Sequence, residues 1–155
     1  MTRSPLFLAI ALFLAGLGAA GQFAKVGVIF DYISAVYPGT SGPLLGLLVS
    51  GVGFPGLIFG STAGILLARA PLKLVMIVSL AVAAILSLVQ ALMPAISVFL
   101  GLRVIEGFSH LAIVVCAPVI IAETLNGKDR AFALTLWSTF FAVCFALMAW
   151  AGRPL

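Results

Sequence analysis

Charge is what this sequence has least of. Of its 155 residues, 8 are Lys or Arg and 4 are Asp or Glu, 8% in all, against about 25% in soluble domains. The charges are also unevenly placed. None occurs in residues 32–68, 74–102 or 131–152, and each of these runs exceeds the roughly 20 apolar residues that cross a bilayer. A water-facing globular surface, a nucleic-acid interface and a disordered tail all require charge that is not there. Metal-ligating residues are equally sparse. There is one histidine, and Cys116 and Cys144 lie inside apolar runs with no C-x-x-C or His/Cys cluster. They read as buried thiols that pack as small hydrophobes, so no metal and no cofactor is expected.

What the sequence does have is apolar length, with 64% of residues hydrophobic. The expected fold is an all-α integral membrane protein, one bundle over residues 1–155. Five transmembrane helices are expected at about 5–31, 43–69, 71–93, 95–123 and 129–150, with the lipid bilayer as the first partner. Ser4-Pro5 and Ser41-Gly42-Pro43 are helix starts with proline in the first turn. Asn126-Gly127 reads as a helix stop before a short polar loop, Lys128-Asp129-Arg130. Arg3, the following apolar run and Gly18-Ala19-Ala20 imitate a signal peptide, but the apolar pattern continues to Phe30, as an uncleaved span requires.

Basic residues set the orientation. With the N-terminus in the cytoplasm, Arg3, Arg69, Lys73, Lys128 and Arg130 all fall inside and Arg153 alone outside, which satisfies the positive-inside rule. Trp137 and Trp150 read as interfacial anchors near the two ends of the fifth span.

Ionisable groups at membrane depth are costly and mark functional sites. The fourth span carries Arg103, Glu106 and His110, spaced three and then four apart and therefore on one helix face. At about 1.5 Å per residue, Glu106 lies roughly 17 Å below the outer end of its helix. The first span adds Gln22 and Lys25. Lys25 either snorkels to the interface or faces inward; facing inward, it places two bases around one carboxylate, which favours an anionic or polar solute over a cationic one. The bland alternative is a self-neutralising Arg103–Glu106 pair. Ser109 beside His110 does not make a nucleophile and base, because adjacent helix residues point apart. No catalytic residue and no enzyme activity is expected. Gly56, Gly60 and Gly64, at a spacing of four, form a flat stripe where another helix backbone can approach, as Gly107 can in the fourth span.

Two stretches carry a family resemblance. Gly64-Ile65-Leu66-Leu67-Ala68-Arg69-Ala70-Pro71-Leu72-Lys73 resembles the loop signature G-x-L-a-D-R-x-G-r-R/K of the major facilitator superfamily of secondary transporters. Gly64, Leu66, Arg69 and Lys73 match, while Ala68 stands where the family has aspartate and Pro71 where it has glycine. Leu102-Arg103-Val104-Ile105-Glu106-Gly107 is similar to the family's R-x-x-x/E-G signature in the fourth helix. The fifth span lacks the G-x-x-x-G-P-x-x-G of the drug antiporters.

The resemblance implies a cytoplasmic gating loop at Gly64, Arg69 and Lys73 and a role for Arg103 in coupling proton movement to transport; with the deep polar residues Glu106, His110, Lys25 and Gln22, Arg103 makes up the expected substrate or proton pathway. Helices one, two, four and five would line that pathway, with helix three peripheral. It further implies a secondary active transporter of a small solute in the bacterial inner membrane, with Glu106 taking the proton where transport is proton-coupled. Family members have two six-helix halves, so the expectation is an N-terminal fragment whose partner is the missing C-terminal half. The rival is a small five-helix protein that assembles with a membrane partner.

Overall fold

Proline and glycine punctuation decides where the helices begin and break. The computed structural model describes residues 4–67 and 69–152; Arg3, Ala68 and Arg153 lie outside the described residues. The first span is α1 (Pro5–Val28), with proline in its first turn, where the missing N–H costs nothing. It breaks at Ile29, and a short α2 (Phe30–Val36) continues at an angle set by that residue. The expected single helix over 5–31 is therefore two pieces.

The second span is also divided. It consists of α3 (Gly42–Ser50), one 3-10 turn (Gly51–Gly53) and α4 (Phe54–Leu67). Pro55 is the cause: it has no N–H to offer the carbonyl one turn back, and its ring crowds that carbonyl. The third span is α5 (Leu72–Ala91) and the fourth is α6 (Ile96–Thr124), which carries Pro118 inside it. The fifth is α7 (Gly127–Ser138) followed by α8 (Phe140–Ala151). The break at Thr139 has a local origin. The Ser138 and Thr139 hydroxyls donate to the carbonyls of Thr135 and Leu136, which bends a helix toward the hydroxyl side.

One expectation at the α6–α7 junction is corrected. Gly127 does not stop a helix but opens one, with Asn126 at its N-cap and φ +51° at the glycine. Lys128, Asp129 and Arg130 thus stand in the first turn of α7. Arg130 donates from Nε to the Leu125 carbonyl at 2.7 Å and from its terminal nitrogen to Asn126 Oδ1 at 3.1 Å, tying down the short link between the spans.

The five spans run antiparallel in turn, which gives the bundle two ends. The Ser4 end also carries residues 69–71 and 125–126; the Asp31 end carries residues 37–41 and 92–95. At the Asp31 end the Tyr37 hydroxyl donates to the Pro94 carbonyl at 2.5 Å. Helices α1 and α6 form the centre. Helix α1 packs on α6, α7 and α8, while α6 also receives α5 on one side and α4 with the 3-10 turn on the other.

The main apolar core lies where α1, α6, α7 and α8 meet, and its α1 face is built from Ala9, Ala15, Ala19, Ala20 and Ala24. Small side chains let helix backbones approach, which is the principal packing gain available inside a membrane. Cys116 and Cys144 sit in this core as free thiols. A second cluster of Val26, Ile33, Leu45, Leu48 and Phe99 closes the Asp31 end. Trp137 corrects its assignment as an anchor. It lies about ten residues, or roughly 15 Å, into its span, is 7% exposed, and packs on Phe140 and over Gly16. Trp150, by contrast, is 81% exposed.

The surface around this core is apolar. Leu57, Ile65, Leu88 and Leu92 are all more than two-thirds exposed, while Arg103 and Glu106 are fully buried. All five spans are long and apolar enough to cross a membrane. This arrangement, apolar outside with charges inside, is that of a multi-pass membrane protein.

Candidate functional site

Along α6 the buried positions Phe99, Arg103, Glu106, Ile113, Ala117 and Ile121 recur at intervals near three and four, so one continuous face turns inward. The charges fall on this face where the two apolar clusters leave a gap. Arg103 reaches across it. Its Nε donates to the Leu48 carbonyl at 2.7 Å, one terminal nitrogen donates to the Gln22 carbonyl at 2.7 Å, and the other donates to the Val49 carbonyl at 3.1 Å. Leu48 and Val49 lie in the last turn of α3, before the 3-10 turn Gly51–Gly53, where helix carbonyls run short of in-helix donors. Arg103 therefore caps α3, holds α1 and stays on α6 with one planar group, a task for which guanidinium is suited and ammonium is not.

Close helix approach makes this reach possible. A Cβ on Gly51 would stand 3.3 Å from Arg103 Cβ, and one on Gly107 would strike the Val52 carbonyl and the Pro55 ring. Gly107 is thus a packing glycine against the kink of the second span. Gly56, Gly60 and Gly64 are placed differently. A Cβ at any of them meets nothing within 4 Å, so no helix of the described chain lies on that stripe.

The centre of the site is Glu106, which accepts from four donors. Oε1 faces Lys25 Nζ at 2.5 Å and Ser87 Oγ at 3.2 Å; Oε2 faces an Arg103 nitrogen at 2.5 Å and Gln90 Nε2 at 3.0 Å. These occupy the roughly four lone-pair directions of a carboxylate. Lys25 faces inward and also bonds Ser87 Oγ at 2.7 Å, which settles its two readings against snorkelling. Its side chain is 25% exposed, whereas those of Arg103 and Glu106 are 0% exposed. Among the described residues these two ion pairs, both to Glu106, are the only ones. Two cations share one anion, so the fully ionised cluster carries one excess positive charge.

Gln22 joins the cluster through its backbone, but its side-chain Oε1, like that of Gln90, is buried without a hydrogen-bond partner. His110 stands apart from the ion cluster, one turn further along α6. Its Nδ1 lies 2.9 Å from the Ala19 carbonyl, an acceptor only, so Nδ1 carries the proton and donates. Its ring packs edge-on against Phe23, with centroids 4.8 Å apart, and near Phe141. Ser87 and Gln90 were not anticipated. The signal was present, since Ser79, Ser87 and Gln90 recur close to one face of α5, and they bring helix three into the site rather than leaving it peripheral.

At the Ser4 end, Arg69 and Lys73 stand with Glu123 around a cavity of about 800 Å³ between α1, α5 and α6. Neither base forms an ion pair among the described residues. A second cavity, about 270 Å³, lies between α1 and α5 and is bordered by Gln22, Lys25 and Ser87.

These features define a class: a multi-pass, all-helical membrane protein with a buried, hydrogen-bonded ion cluster where its first, second, third and fourth spans meet. Compared with models of known families, with curated proteins and with solved structures, the chain matches none.

Proposed function

We propose that the chain is part of a secondary active transporter of the major facilitator type, which moves a small solute across the bacterial inner membrane. The observation that supports this most is Glu106, fully buried and shared by Lys25 and Arg103. A purely structural pairing would bury one cation per carboxylate, because each extra buried charge costs several kcal/mol. The second cation here also borders a cavity. When a proton arrives on Glu106 Oε1, the carboxyl becomes neutral and releases Lys25 Nζ; an anionic solute group then compensates the freed cations. Loss of that proton re-forms both ion pairs and expels the anion. Glu106 is the proton carrier in this scheme, Lys25 the solute contact, and Arg103 the positioning residue that holds α1, α3 and α6 together.

Orientation belongs to the same proposal. Arg69, Lys73, Lys128 and Arg130 all stand at the Ser4 end, which makes that end cytoplasmic by the positive-inside rule. Arg69 and Lys73, without an ion pair among the described residues, would serve as the gating loop, binding acidic groups or helix C-termini on other helices of the transporter. Uptake of a panel of small organic anions and neutral solutes by the complete gene product in proteoliposomes tests the reading. Glu106→Gln and Arg103→Ala are expected to abolish uptake of the accepted solute; wild-type rates in both would sink the assignment.

One observation favours a second reading, in which the chain is a small five-helix protein that stabilises a membrane partner. The Gly56, Gly60 and Gly64 stripe faces open space beside exposed Leu57 and Ile65, which suits a helix from another chain. Gly60→Leu separates the readings. It would break a partner complex under the second and leave solute uptake intact under the first.

A further inference from the structure

The ion cluster needs a route to water, and the space between α1 and α5 supplies one. Helix α5 packs closely along α6 but approaches α1 at few points. The gap contains both cavities. The outer one, about 800 Å³, opens beside Arg69, Lys73 and Glu123; the inner one, about 270 Å³, ends at Lys25 and Ser87. From Lys73 to Ser87 the path follows α5 for roughly 21 Å, fourteen residues at helical rise. Small residues on α1 keep it wide, with Ala11 and Ala15 along the outer cavity and Gly18 and Gly21 along the inner one.

One residue is common to the two cavities. Leu80 borders both cavities, and its Cδ2 would lie 3.8 Å from a Cβ built on Gly18. The inner chamber has its polar groups at one end, Gln22, Lys25 and Ser87. Gln22, 3% exposed, borders it, and Lys25 is the one member of the ion triad with exposed side-chain surface.

We propose that the α1–α5 cleft is the access path from the Ser4 end to Glu106 through Lys25, and that Leu80 against Gly18 is its gate. The path deepens the transporter reading, because it assigns the side from which the proton or anion enters. Leucine is a suitable gate: it excludes water while it rests on the glycine, and a rotamer change moves its methyl groups without disturbing either helix backbone.

The test is thiol labelling, which reads the path whether or not the chain transports. With Cys116 and Cys144 replaced by alanine, Ala83→Cys places one thiol on the inner chamber. A small water-soluble methanethiosulfonate is added to sealed membrane vesicles of either orientation. Labelling is expected from the Ser4 side, several-fold faster with Leu80→Ala and several-fold slower with Leu80→Trp. Gly18→Val narrows the same point from α1 and is expected to slow labelling likewise, which keeps the test decisive where the tryptophan does not fold. A membrane-soluble maleimide on Ile85→Cys, an outward α5 position 60% exposed, reports that each variant is intact. Equal labelling rates across the Leu80 and Gly18 variants, or faster labelling from the Asp31 side, would overturn the path. Normal gated labelling with no uptake in the Glu106 assay would leave the path standing and the transporter reading refuted.

Discussion

Removing Glu106, Arg103 or Lys25 one at a time should destabilise the bundle in an order set by what each deletion leaves behind. Glu106→Gln keeps the side chain's shape but leaves Arg103, at 0% exposure, as a buried cation with no anion. Arginine cannot discharge by losing a proton. The glutamine NH2 also points a donor at donors, since all four groups around Glu106 donate. Breaking a buried pair in this way costs about 3–5 kcal/mol. Lys25→Met leaves Arg103 and Glu106 charge-balanced and still bonded, and Ser87 still reaches Oε1. Its cost is about 1–2 kcal/mol, one charge-assisted hydrogen bond reduced by the ammonium's access to the inner cavity. Arg103→Met falls between them, because it leaves a neutral Lys25–Glu106 pair but removes the guanidinium donors from the carbonyls of Gln22, Leu48 and Val49. Reversible unfolding by denaturing detergent in mixed micelles measures all three. A Lys25→Met loss equal to or larger than that of Glu106→Gln would refute the charge argument.

Three further outcomes follow from packing and burial. Gly107→Ala drives a Cβ into the Val52 carbonyl and the Pro55 ring and should cost about 1–3 kcal/mol, whereas Gly60→Ala, in open space, should stay within about half a kcal/mol; the same micelle titration compares them. Trp137→Ala empties a site 7% exposed between α1 and α8 and should lose about 3–5 kcal/mol, where a true interfacial anchor would lose far less. At the Asp31 end, burial pushes the Tyr37 hydroxyl above its ordinary value. Its contribution is therefore fully present below the unfolded tyrosine pKa of roughly 10 and is lost as pH rises through the higher folded value. In phenolate absorbance, Tyr37→Phe should remove a late-titrating component of the wild-type curve.

The spans and the deep charges were legible because both are one-dimensional signals. A charge-free run longer than a bilayer needs no tertiary knowledge, and Arg103 and Glu106, three apart on a helix, must share a face. What the sequence hid was where helices bend and what crosses between them. The interruption at Thr139 depends on local hydrogen bonding that apolar periodicity does not carry, and nothing in that periodicity marks the one at Ile29. The same glycine spacing has opposite surroundings at Gly107, which is crowded, and at Gly60, which is open; residue type alone gives both as flat. Lys25 and Glu106 are far apart in the chain, so only the α1–α6 contact decides that the lysine turns inward. Ser87 and Gln90 were overlooked because two uncharged polar residues in an apolar helix stand out far less than one carboxylate.

In the proposed cycle Glu106 exchanges a proton whenever solute moves. The direct measurement uses proteoliposomes holding the complete gene product and an internal pH dye, challenged with the solute that the uptake panel selects. Wild-type protein should shift internal pH when solute is added, and Glu106→Gln, reconstituted to the same level, should not. An equal pH shift in Glu106→Gln and wild type would contradict the central claim.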